Sequence, residues 1–385
     1  MIGRPPVPIE PFHAIEISVL AHRLRAQGQS IIHMEFGQPE AGAPRGAIAA
    51  AHDMLDTDAL GYWESPKLRE RIARYYRDAD GVDVEPSQIL LTCGASPALV
   101  LALVTAFRPG DRVMMARPGY VAYRNSLSAL HMLPVEVECG ADDRFQIAAS
   151  HVANAAKTPE GLIVASPANP TGTVIPPAAM RDIADTCAAL GTRIISDEIY
   201  HRLSYVGQPH SMLRYSPDAF VINSFSKYYG MPGWRMGWLV CPPDLVSAAR
   251  ARMGNLFLSA PALSQHAALA AFDCEEELDA RVEDYARNRT LLLETLREIG
   301  LTEIAPPDGA FYLYASIGHL TDDSQAFCRR LLLETGVATA PGVDFDPERG
   351  RSFIRFSFAL TPAAVEDACG RLTTWFASLP SSEVA

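Results

Sequence analysis

The chain has 385 residues, 48% of them hydrophobic, with 33 basic and 45 acidic side chains and a net charge of −12. That is ample apolar matter for one large domain or for two to three smaller ones. The acidic balance argues against a surface that coats nucleic acid or an anionic membrane, and leaves room for a local basic site that takes an anionic ligand.

The stretch Met1–Glu16 holds one arginine, four prolines and no long apolar run, so it does not read as a secretory signal. A helical pattern follows at Ala14–Gln27, then a Gly- and Pro-containing turn at Gly37–Pro44. From there short apolar runs of strand character alternate with helical patterns. The strands are Ile89–Thr92, Arg112–Ala116, Leu133–Val137, Leu162–Ala165, Arg193–Ser196 and Phe220–Asn223; the helices between them include Pro97–Phe107, Tyr120–Leu130 and Pro177–Leu190. Strands separated by helices imply βαβ units and a mostly parallel sheet covered on both faces, which suits runs that are apolar throughout. Pro97–Phe107 is the most apolar segment, yet it falls short of the roughly 20 residues a bilayer span needs. After about Glu275 the pattern changes. A long charged helix, Glu276–Ile299, precedes a strand at Ala310–Ala315, a helix at Ser324–Thr335, a strand at Phe353–Ser357 and a last helix from Thr361. We therefore expect an α/β fold with a large domain at 45–275 and a smaller α/β domain formed from both ends, 1–44 and 276–385. The seven cysteines are scattered, odd in number and without a CxxC pair, which points to reduced thiols in a cytoplasmic protein and against a disulfide framework or structural zinc.

Three features fall just beyond the C-terminal ends of strands, where a parallel sheet keeps its ligands. In Cys93-Gly94-Ala95-Ser96-Pro97, Gly94 permits a tight turn and Pro97 suits the first position of a helix. Ala95 and Ser96 then present N–H groups at a helix N-terminus, a place for phosphate, unless Ser96 is simply an N-cap. In Ser196-Asp197-Glu198-Ile199-Tyr200, Asp197 ends a buried strand, and a buried carboxylate needs a partner: a protonated ring nitrogen, or a helix to cap. In Ser224-Phe225-Ser226-Lys227, Lys227 stands among apolar and aromatic residues rather than on a polar face, and Arg235 follows, able to clamp a phosphate. A lysine beside such a phosphate site can form a Schiff base when its surroundings partly deprotonate it. Asn169 sits between two prolines in Ser166-Pro167-Ala168-Asn169-Pro170, a rigid turn that would hold its amide in one pose.

The segments SPANPTGT, SDEIY and SFSKYYGMPGWRMGW, with GASP before them and IRFSFA after, closely resemble the class I/II aminotransferases of pyridoxal-phosphate fold type I, in the same order and from Phe36-Gly37-Gln38-Pro39 to Arg355. The resemblance implies pyridoxal 5'-phosphate as cofactor and transfer of an amino group from an L-amino acid to a 2-oxo acid. It implies that Lys227 holds the cofactor as a Schiff base and moves the Cα proton. Asp197 would bond the ring nitrogen, and Tyr200 and Asn169 the ring oxygen. Ala95, Ser96, Ser224, Arg235 and Ser226 would hold the phosphate, and Tyr120 would stack on the ring. Arg355 would take the substrate carboxylate and Gly37 would line the same site. Tyr62 would reach the phosphate of a neighbouring subunit, so a homodimer with shared sites is implied.

One departure is the short segment Trp63-Glu64-Ser65-Pro66-Lys67 after Tyr62, which either reshapes the substrate mouth through Trp63 or Glu64 or is a plain surface turn. The side-chain specificity stays open. Arg349 and Arg351 read as surface residues, and the direction of His201 and Arg202 is not set by the sequence. A lyase or decarboxylase could use the same fold and lysine. A non-catalytic sensor of the same fold is a more distant alternative, since the stretch before Gly37 is too short for a DNA-binding domain.

Overall fold

A computed structural model describes residues 7–379, so the first part of the Met1–Glu16 reading lies outside the described residues. In chain order the elements are α1 (His13–Ala26), β1 (Ile32–His33), α2 (Arg45–Thr57), α3 (Pro66–Asp80), β2 (Ile89–Thr92), α4 (Ala95–Ala106), β3 (Arg112–Arg117), α5 (Val121–Ala129), β4 (Leu133–Glu138), α6 (Ala149–Ala153), β5 (Gly161–Ala165) and α7 (Pro177–Leu190). They continue with β6 (Arg193–Asp197), β7 (Phe220–Ser224), β8 (Gly237–Val240), α8 (Val246–Leu256), α9 (Ala262–Ala271), α10 (Glu275–Glu298), β9 (Tyr312–Ser316), α11 (Ser324–Thr335), β10 (Val337–Ala338), β11 (Ala340–Pro341), β12 (Phe353–Ser357) and α12 (Pro362–Ser378).

A seven-stranded sheet runs in the order β2-β8-β7-β6-β5-β3-β4. Strands β3 to β7 pair in parallel, as the unbroken apolar runs predict. Both faces of the sheet are covered. Leu162 and Val164 point into one core and Ile163 into the other, and Trp238 and Leu239 divide the same way, as the two-residue period of a strand requires. Each such side chain contributes roughly 1.5–3 kcal/mol by leaving water.

Strand β8 departs from the expected pattern. It is antiparallel to both β7 and β2. The chain leaves β7, makes a short excursion through 225–236 and turns straight back, so that Lys227 and Arg235 sit on one connection at the sheet's edge. Five helices were not anticipated from the sequence pattern: α2, α3, α6, α8 and α9. Helix α4 starts at Ala95, not Pro97. Gly94 takes the N-cap position at φ +99°, a conformation favouring glycine, so Ser96 is a first-turn residue and not the cap. Strand β9 begins two residues later than read, at Tyr312.

The two ends of the chain meet. Strand β1 pairs with β10, Ile32 opposite Val337, and β11, β12 and β9 form a separate three-stranded antiparallel sheet. Asp344 ties the N-terminal segment down by accepting from the backbone N–H of His13 at 2.8 Å and of Ala14 at 2.9 Å, at the exposed start of α1. Among the described residues no helix is long and apolar enough to cross a membrane, and no cluster of His, Cys, Asp or Glu is arranged to hold a metal ion.

Candidate active site

The C-terminal ends of the parallel strands open on a cavity of 360 Å³. Its floor comes from the sheet edge: Ala95 and Ser96 from α4, Asp197 from the end of β6, and Ser226, Lys227 and Arg235 from the β7–β8 connection. Its roof comes from the chain's two ends: Phe12, Phe36 and Gly37 from the N-terminal side, Tyr312 from β9 and Arg355 from β12. Tyr120 and Asn169 complete the wall.

Lys227 reaches into the cavity, and its Nζ donates to the Gly37 carbonyl at 2.5 Å. Burial, with the positive charge of Arg355 nearby, lowers its amine from 10.5 to about 8. Asp197 lies at the other end of the floor. Burial raises its carboxyl, against the stabilising hydrogen bond from Tyr123, whose hydroxyl donates to Oδ2 at 2.6 Å; Oδ1 accepts from the Ile199 N–H at 3.2 Å. Arg235 is held in a left-handed conformation, φ 52°, its guanidinium donating to the carbonyls of Pro232 at 2.8 Å and Cys93 at 3.1 Å. A Cβ on Gly94 would lie 2.4 Å from Arg235 Nη2, so only glycine lets this arginine lie across the start of α4.

Arg355 is 2% exposed and sandwiched between aromatic rings, Tyr312 at 4.4 Å and Phe345 at 4.7 Å. It donates to Asn169 Oδ1 at 2.8 Å and to the Glu35 carbonyl at 2.6 Å. With its oxygen occupied in this way, Asn169 keeps its NH₂ group to donate. Tyr200 and Tyr312 bring their hydroxyls within 2.6 Å of each other.

Twelve of the thirteen residues singled out from sequence can be set against this cavity directly, and the outcome is uneven. Gly37, Ala95, Ser96, Tyr120, Asn169, Asp197, Tyr200, Ser226, Lys227, Arg235 and Arg355 all line it. Ser224 does not. It is buried beside Ser226, its Oγ 2.8 Å from Ser226 Oγ and accepting the Ser226 N–H at 2.9 Å. The remaining residue, Tyr62, is 85% exposed and stays outside the cavity of its own chain. Trp63 and Glu64 do not line the cavity of their own chain either. Trp63 stacks on His266 at 5.0 Å, and Glu64 pairs with Arg250 at 2.9 Å. His201 is buried against Glu198 and Arg202 bonds Glu275 and Tyr228, both away from the cavity. Arg349 pairs with Glu138 at the surface.

Tyr123, Tyr312 and Phe12 are among the lining residues not read from the sequence. Tyr123 had a signal, since it stands three positions after Tyr120 on a helical pattern and so shares its face. Tyr312 and Phe12 had none, because only long-range packing brings them here.

The charges around the cavity are three cations, Lys227, Arg235 and Arg355, and one carboxylate, Asp197. That set suits a ligand with two anionic ends and a cationic ring nitrogen. The helix start, the Gly94 cradle and Arg235 fit a phosphate; Asp197 fits the nitrogen; Arg355 fits a carboxylate.

The chain matches the family of class I and II aminotransferases over residues 32–372, and it belongs to that family. It is 46% identical to the valine–pyruvate aminotransferase of Mycobacterium tuberculosis over 377 residues, 96% of this chain and 97% of that protein. The crystal structure of an aminotransferase from Mycobacterium tuberculosis superposes with a TM-score of 0.95 at 44% identity, covering 98% of this chain and all of that one. The Thermus thermophilus aspartate aminotransferase solved with maleate does so with a TM-score of 0.88 at 30% identity, over 95% of this chain and 97% of that one. The protein is an aminotransferase of fold type I, a family that works with pyridoxal 5'-phosphate. These relatives transfer amino groups, which favours transfer over the lyase, decarboxylase and sensor alternatives.

Proposed function

We propose that this aminotransferase holds pyridoxal 5'-phosphate on Lys227 and moves the amino group of a neutral, monocarboxylic L-amino acid to a small 2-oxo acid such as pyruvate. The observation that carries this reading is one cavity in which a half-buried lysine amine faces a buried aspartate at one end and separate arginines, Arg235 and Arg355, toward the others. When bound, the cofactor supplies a carbonyl carbon that captures amines and a ring that accepts the electrons released with a Cα proton.

The chain's residues divide the remaining work. The N–H groups of Ala95 and Ser96, with Ser226, Arg235 and Ser224 behind them, would bind the phosphate. Tyr120 covers the ring face. Asp197, held in place by the Tyr123 hydroxyl, would keep a proton on the ring nitrogen. Tyr200 and the Asn169 amide donate to the ring oxygen. Arg355 receives the substrate carboxylate and fixes the orientation of the Cα–H bond. The Lys227 amine takes the Cα proton and returns it to the carbon that receives the amino group. An amine near 8 is well matched to both steps at neutral pH.

The lining of the single chain supports a neutral donor. Among the described residues the three cations of the cavity already have roles, and no further cation lines it for a second carboxylate. Phe12, Phe36, Leu99, Ala122 and Ile199 line the rest of the wall with apolar side chains, beside the neutral Gln38 and Ser126. The Mycobacterium tuberculosis relative named for valine and pyruvate is in keeping with this.

We also propose a homodimer in the cytoplasm. Tyr62 and Trp63, with Ile48, Leu55 and Leu258, expose large apolar side chains on the single chain, a surface a second copy would cover while Tyr62 reached its phosphate. All seven cysteines are free, as a reducing compartment would keep them. Residues 45–275 form the large domain in this reading; the ends joined through β1 and β10 form the small one.

The test is a half-reaction screen. The cofactor-loaded protein is followed by visible absorption as each amino acid is added, then products are analysed with pyruvate or 2-oxoglutarate as acceptor. Bleaching by alanine or valine, with a new amino acid and no free ammonia, is expected. Ammonia without acceptor, or a preference for aspartate and glutamate, overturns it.

A further inference from the structure

Tyr312 is assigned no role by the sequence motifs, yet it touches the three groups on which the proposed chemistry depends. Its hydroxyl lies 2.6 Å from that of Tyr200. Its ring carries the Arg355 guanidinium at 4.4 Å. It also packs so closely on Gly37 that a Cβ there would fall 1.6 Å from its oxygen, and the Gly37 carbonyl is the acceptor for Lys227. Tyr312 is 1% exposed, so water does not replace any of these contacts.

The direction of the Tyr200–Tyr312 hydrogen bond decides what the pair can do. Each phenol has one proton, and in a pair of phenols the more acidic one donates. Burial raises both, but the Arg355 guanidinium lies directly on the Tyr312 ring and is the main influence drawing that phenol back down, whereas at Tyr200 it is a lesser one. The guanidinium on its ring thus favours Tyr312 as the donor. Tyr200, its oxygen already accepting, has its own proton turned away from Tyr312. Accepting a hydrogen bond in a dry site also makes a hydroxyl a stronger donor in turn, because chained bonds polarise one another.

We propose that Tyr312 is a positioning residue for transamination: its hydroxyl donates to Tyr200 and aims the Tyr200 proton at the ring oxygen of the bound cofactor, while its ring holds Arg355 flat for the substrate carboxylate. This rests on the reading above that Tyr200 faces that oxygen and that Arg355 takes the carboxylate. It adds that both are set by one side chain, so the cofactor and substrate ends of the site are mechanically joined through β9.

The two contacts are separable by substitution. Tyr312→Phe keeps the ring and removes the hydroxyl; Tyr312→Leu removes both. Each is loaded with pyridoxal 5'-phosphate, checked for folding by circular dichroism and melting, and titrated with pH while the visible absorption is recorded without substrate. Tyr200→Phe is titrated beside them. We expect Y200F to raise the spectral midpoint and Y312F to raise it less, by about 0.5 to 1 pH unit, the worth of one net hydrogen bond. With alanine as donor, Y312F should lower kcat and leave KM within about twofold, whereas Y312L should also raise KM about tenfold through loss of the cation–π contact. A midpoint that moves in Y200F but not in Y312F overturns the proposal alone. A midpoint unmoved in both overturns the Tyr200 reading and the proposal with it. A lowered melting temperature with unchanged midpoint, kcat and KM reduces Tyr312 to a packing residue and also overturns it.

Discussion

The floor and the roof of the cavity are built in different ways. Floor residues sit on strand ends and the first turn of a helix, each within a short motif, and their neighbours in sequence fix their pose: Gly94 beside Ser96, Ser224 behind Ser226. Roof residues come from opposite ends of the chain; the Arg355 to Glu35 hydrogen bond spans 320 residues. In the function proposed above, the floor would hold the groups for proton transfer and cofactor anchoring, and the roof those for recognising what enters. The difference teaches that the chemistry rests on local backbone geometry, whereas substrate choice rests on tertiary packing that can be altered without rebuilding the sheet.

Substitutions in each part should therefore fail differently. On the floor, Lys227→Ala should lower kcat by about four orders of magnitude with little effect on folding, as measured by single-turnover absorbance changes. A loss under tenfold would mean that another base acts. In the roof, Arg355→Ala should lower kcat/KM about a hundredfold or more for amino acids, and far less for an amine without a carboxylate. Equal losses for both would place Arg355 in the floor's chemistry and break the contrast.

A third prediction concerns stability of the cofactor-free chain. Lys227 loses its proton at about 8 when folded and at about 10.5 when unfolded. Between those values the unfolded state binds more protons, so stability rises with pH across that window; below 8 the full penalty remains. Lys227→Met should remove the rise and be more stable below pH 8 by on the order of 2 kcal/mol, read from urea melts. Next in size, Tyr123→Phe should lower kcat roughly tenfold by loosening Asp197, with KM held. The smallest effect is expected at Phe12→Ala, which should shift donor preference several-fold toward bulkier apolar amino acids at constant kcat for alanine. A drop in kcat for every donor would show that the N-terminal segment does more than shape the pocket.

The same division governs what the sequence reveals. Apolar runs such as Leu162–Ala165 announce buried parallel strands, and the residues after them name most of the floor. The antiparallel β8 was hidden because Gly237-Trp238-Leu239-Val240 follows directly on the Lys227 connection and has no helix before it. Helices α8 and α9 escaped because their alanine-rich stretches give a weak apolar period. The spacing of Ser224 and Ser226 does not say which hydroxyl faces inward, and only Ser226 lines the cavity. Phe12 and Tyr312 were illegible for a plainer reason. Nothing near either in sequence indicates that 300 residues later, or earlier, the chain returns to the same place.

The position of β8 also bears on how the protein is made. Strand β2 is among the first to leave the ribosome, but Thr92 pairs with Gly237, and no other strand borders it in the sheet. At ordinary rates of synthesis its partner follows on the order of ten seconds later. For that interval Ile89, Leu90 and Leu91 have no neighbour to hydrogen-bond with, and an unpaired apolar strand is a template for the wrong chain. Nascent chains stalled before Val240 should therefore be the species most in need of a chaperone, and those stalled after it much less so.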